Sequence, residues 1–178
     1  MKKIFLTFIV LALFSTTAFT QTRRDAAPYN HAVGATLGFM NGFTFKTFPT
    51  NHFAIQADLG YHFIADYRIG GIPAVLTINP NFMYEKSCGN GFYWFVGGGL
   101  NIGGALGHHA YRHGYDYYYP GSFVFGLNLI GGAEYKFANI PLALQVDGRP
   151  GFFLFANRYD NHILFDYNFF NVTARYTF

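Results

Sequence analysis

The stretch Gly107–Tyr119 carries the residue types that transition metals favour. His108, His109, His113 and Asp116 stand close together there, and imidazole suits zinc, copper and nickel. Their spacing fits no tight ligand template, and Tyr111, Tyr115, Tyr117, Tyr118 and Tyr119 are interleaved with them. That mixture suits an outside contact surface or an aromatic girdle better than an ion cage. No metal and no cofactor is expected. Ser122 follows the stretch and, with His113 and Asp116, would supply the parts of a nucleophilic triad. No nucleophile motif surrounds it, so no catalytic residue is assigned. Gly97-Gly-Gly99 lies within a strand-like segment with no helix behind it, which excludes a phosphate cradle.

A second set of residues is scattered along the chain but shares one local context. Lys46, Asp58, Glu85, Glu134, Asp147, Arg149 and Arg175 lie in alternating segments, on the face opposite the apolar side chains. Side chains of a strand point alternately to its two faces, so these seven would share the inner face of a closed sheet. A buried ion without a partner costs several kcal/mol, so three cations and four anions brought together there should pair. The competing reading is a narrow ion path or a small ligand cavity. Gly97, Gly99 and Gly103 would leave room for one, or would make space for Arg149 or Arg175.

Eight segments alternate strongly enough to position these residues. They lie at about 31–40, 42–48, 52–64, 72–85, 91–104, 122–137, 140–155 and 164–178. The last is the clearest. Phe170, Val172, Ala174, Tyr176 and Phe178 share one face, and Asn171, Thr173, Arg175 and Thr177 share the other. Asn41-Gly42 is a strong hairpin signal. Pro49–Asn51, Lys86–Asn90 and Ala138–Asn139 read as short turns, with the single cysteine, Cys88, as a turn residue. Ala65–Gly71, Ala105–Gly121 and Ala156–Ile163 read as longer loops; if the middle one pairs with itself, the strand count rises to ten. Pro80 and Pro150 should each bulge or break a strand.

The composition agrees with a lipid-facing wall. Aromatic residues make up 21% of the 178 residues and charged residues only 12%, where a soluble domain carries about 25% charged residues. No later run is long and apolar enough for a spanning helix. Residues 1–20 have the basic start, apolar run and small polar end of a cleaved secretory signal, and 21–30 form a polar periplasmic lead-in. Removing the signal takes two lysines from the net charge of +3, so the mature chain is near neutral and nothing points to nucleic acid.

Met83-Tyr-Glu-Lys86, Tyr93-Trp-Phe-Val-Gly-Gly-Gly99, Gly131-Gly-Ala-Glu-Tyr-Lys-Phe137, Ile140-Pro-Leu-Ala-Leu144 and Ala174-Arg-Tyr-Thr-Phe178 resemble the small outer-membrane barrels common in Bacteroidota, within the broad OmpA-like eight-stranded class. The resemblance covers 31–178. It implies an all-β, closed, eight-stranded antiparallel up-and-down transmembrane barrel, and no particular activity. It also implies that Tyr176 and Phe178 form the signal read by the barrel-insertion machinery. The expected partners are outer-membrane lipids, lipopolysaccharide, that machinery, and an extracellular or periplasmic protein. The expected role is structural or interactive. A small channel or ligand-binding barrel is the first alternative, and a lipid-modifying enzyme of the outer membrane the second.

Overall fold

The computed structural model describes residues 29–63, 74–112, 115–119, 121–156 and 161–178. The expected signal, most of the lead-in, the first long loop and His113 lie outside them. Among the described residues there is no helix. Twelve strands form: β1 (His31–Gly38), β2 (Met40–Thr47), β3 (Phe53–Phe63), β4 (Ala74–Gly89), β5 (Phe92–Ala105), β6 (His108–Arg112), β7 (Tyr115–Tyr119), β8 (Ser122–Lys136), β9 (Leu142–Gly148), β10 (Gly151–Ala156), β11 (Asn161–Asp166) and β12 (Asn171–Thr177).

Eight of these close into an antiparallel barrel. Ladders run β1–β2, β2–β3, β3–β4, β4–β5 and β5–β8. Then β8 pairs with β9, β9 with β12, and β12 with β1. Alternation drives the assembly. In β12 every second residue is buried and the others are exposed. Outward stand Phe43, Leu59, Ile78, Phe82, Leu127 and Leu129, among many others, while Lys46, Gln56, Asp58, Glu134 and Arg175 are buried inside. Apolar outside and charged inside is the reverse of a water-soluble barrel.

Several expectations need correction. The seventh and eighth segments are each two strands. The seventh breaks at Arg149-Pro150, where β8 exchanges β9 for β10 as its partner; proline donates no ladder bond, which suits it to such a point. The eighth breaks at 167–170. At Pro80 the expected local break is in one ladder only: β4 runs on and stays paired with β3, while its ladder with β5 skips Asn79 and Pro80 and resumes in the same register. The first hairpin does not turn on Asn41-Gly42, which belong to β2. Its tip is Phe39, reached through Gly38 at φ 146°, a conformation that favours glycine. The Asn41 side chain clasps it, donating to the Gly38 carbonyl at 2.9 Å.

The 86–90 turn is also shorter than expected, because β4 continues to Gly89. The connection is Asn90-Gly91, both at positive φ (52° and 84°), which matches the backbone twist of a tight hairpin. Cys88 is exposed beside it. The middle long loop does pair with itself, as β6–β7, but as a separate two-stranded sheet, so it adds nothing to the barrel wall.

Candidate functional site

The seven scattered charged residues meet inside the barrel in two clusters. The first lies toward the short-turn end and is built from β2, β4, β8 and β12. The Lys46 ammonium donates to Glu85 at 2.6 Å and to Glu134 at 2.9 Å. Arg175 donates to Glu134 at 3.1 Å and to the Gln145 carbonyl at 2.7 Å. Its other nitrogens reach Thr44. Two cations thus balance two carboxylates. Lys46 also lies 5.1 Å from the Phe48 ring centroid and 5.3 Å from that of Phe95, where a ring face attracts a desolvated cation.

The second cluster is built around Arg149, at the break between β9 and β10. Its guanidinium donates to Asp58 at 2.7 Å and to Asp147 at 2.6 Å. One cation against two carboxylates leaves an acidic excess, which neutral amides solvate. Gln56 and Asn81 donate to Asp58, and Gln145 and Asn171 to Asp147. Asn81, Asn128 and Asn101 continue the network across β4, β8 and β5.

Apolar side chains pack against both clusters. Around the first lie Tyr29, Phe48, Met83, Phe95 and Ile130, with small alanines between them. Above the second lie Val75, Val124, Phe153 and Phe155, with Ala105 and Leu164 against them. Tyr29 comes from the lead-in, before the first strand, and its phenol donates to Glu134 at 2.6 Å. Burial, with the Glu134 carboxylate, pushes that phenol well above its usual range, so it stays a donor.

The inward glycines open no lumen. A Cβ added at Gly97 would strike the Phe82 carbonyl, one at Gly103 the Leu76 carbonyl, and one at Gly99 the Asn81 side chain. The neighbouring strand already fills that space, so these glycines let a narrow wall curve.

Sequence reasoning missed Tyr29, Thr44 and the contact of His62 with Asp166, whereas alternation placed Asn171 on the face of Arg175. Tyr29 alone carried a signal, as the one aromatic residue of a polar lead-in. Of the loop set, His108, His109, Tyr111, Tyr115, Tyr117, Tyr118 and Tyr119 lie on the β6–β7 hairpin, as does Asp116, and His113 lies outside the described residues. Ser122 starts β8. Tyr176 and Phe178 stand at the short-turn end, with their ring centroids 6.4 Å apart, and Phe178 packs on His31.

No family model, no curated protein and no solved structure matches this chain.

Proposed function

We propose that the protein is an integral outer-membrane β-barrel with a structural or interaction role, exported through a cleaved signal over residues 1–20. One observation carries this reading. The outer wall is apolar almost throughout, while the charged side chains of the described barrel strands lie in the interior, apart from Lys86 and Lys136 near the short turns. Leu129 is 69% exposed and Phe43 73%, while Arg175 and Lys46 are fully buried. Water would penalise such a wall; hydrocarbon would solvate it, and a closed barrel satisfies its own backbone there. Aromatic contacts Tyr84–Trp94, Phe92–Tyr135 and Tyr135–Phe137 gather at the short-turn end, as an interfacial girdle would. In this reading the short turns and both chain ends face the periplasm. The β6–β7 hairpin faces outward, where its histidines and tyrosines would meet a partner or lipopolysaccharide. The likeness to small Bacteroidota barrels rests on the motifs quoted above.

The paired interior favours this role over a channel. Two ion-pair clusters occupy the interior, with apolar side chains packed around the first and above the second, which favours a filled barrel over a solvated path. No observation favours the lipid-modifying enzyme. The test is the full-length protein in planar bilayers, with gel mobility before and after boiling. A boiling-dependent shift with background conductance is expected. Conductance steps abolished by Arg175→Ala would move the reading to a channel, and a chain found only in the soluble periplasm would overturn the membrane reading.

A further inference from the structure

The barrel wall is unequal along its axis. The β1–β2 hairpin is short, and its tip at Phe39 lies level with the break at 167–170, where the Phe39 amide donates to the Phe170 carbonyl. Above that level β10 and β11 continue, but no ladder joins β11 to β3 among the described residues. Among the described residues His62 and Asp166 face each other across this seam, 3.7 Å apart.

The inner lip of the seam is polar and incompletely satisfied. His62 Nδ1, Asn79 Oδ1 and Asn168 Nδ2 have no hydrogen-bond partner among the described residues, though each side chain is almost wholly buried. They are linked through shared neighbours. Asn79 Nδ2 lies 3.4 Å from His62 Nε2, and Asn168 accepts at 2.7 Å from Asn171, which like Asn79 contacts Met40. A buried polar group left unpaired destabilises the fold, so three close together point to a bound polar group. The outer lip is apolar: Leu37, Phe39, Tyr167, Phe169 and Phe170 are all exposed there.

We propose that this seam holds the polar end of a membrane amphiphile, with its acyl chain along Phe39, Phe169 and Phe170. Charge selects the head. Asp166 lines the lip, and the nearby cluster has Arg149 against both Asp58 and Asp147. A head with an amine or hydroxyl donor therefore fits, and a net anionic head is repelled. Asn79 Oδ1 and Asp166 accept from the head, and Asn168 Nδ2 donates to an ester or amide carbonyl. This site rests on the membrane reading above.

Native mass spectrometry of the full-length barrel would test it, in neutral detergent micelles carrying equal phosphatidylethanolamine and phosphatidylglycerol. One lipid per barrel is expected, with the amine lipid preferred about tenfold, the worth of one hydrogen bond to a charged group. Asp166→Asn, of nearly unchanged shape, should erase the preference, and Asn168→Leu should lower retention of both lipids. Equal retention of the two lipids by the unmodified protein, or no retained lipid, would overturn the proposal. So would a lipid-free dimeric mass, which would assign the seam to a second copy. A chain that stays dispersed without detergent would overturn the membrane reading itself, whatever the lipid ratio.

Discussion

Arg175 shows how one residue couples four strands. It lies on β12 and reaches Glu134 on β8, Gln145 on β9 and Thr44 on β2. Removing it leaves Lys46 alone against Glu85 and Glu134, a buried charge without its counter-charge, and that penalty dominates. Arg175→Ala should therefore cost about 3–5 kcal/mol, read as a lower urea midpoint for loss of the fast-migrating gel form. Glycine acts at the same scale by exclusion. Gly103→Ala should cost about 1–3 kcal/mol by forcing β5 away from the Leu76 carbonyl, in the same measurement. The charged residues were legible because each sits opposite apolar neighbours in an alternating segment. Their division into two clusters was not. Alternation gives the face, but the register between strands decides which inward residues meet. Tyr29 was hidden for another reason, since it belongs to no strand and alternation says nothing of it.

Among the elements, the strands with unbroken alternation read most clearly, and the breaks read least. Pro150 and Pro80 have the same local signature, yet only Pro150 ends a strand. At Pro150 the partner of β8 changes and Arg149 turns into the second cluster. At Pro80 the ladders on both sides keep their register. The break at 167–170 had no sequence mark beyond Asn168 and Asn171, whose side chains cap it from within. Asn171 accepts from the Met40 amide at 3.0 Å and donates to both Asp147 and Asn168. Asn171→Leu should leave these three groups short of a partner and cost about 1–3 kcal/mol. Asn41→Ala, which loses only the exposed clasp of the hairpin tip, should cost about 1 kcal/mol or less. A urea series on the two variants checks the order.

At the scale of the whole molecule, the fold class followed from composition and period together: low charge, many aromatics, period two and no long apolar run. Closure into eight strands follows from ladder pairing, which no single segment encodes. The function did not follow, because the charges that alternation revealed pair with one another inside. If the outer wall of this barrel faces lipid, as proposed, the single tryptophan reports on it directly. Trp94 points outward near the short-turn end and is 40% exposed. Its fluorescence would be measured in bilayers of lipids brominated along the acyl chain, and again with acrylamide added to the water. Strong quenching by the brominated lipid and weak quenching by acrylamide are expected. Ready quenching by acrylamide with none from the lipid would contradict the lipid-facing wall.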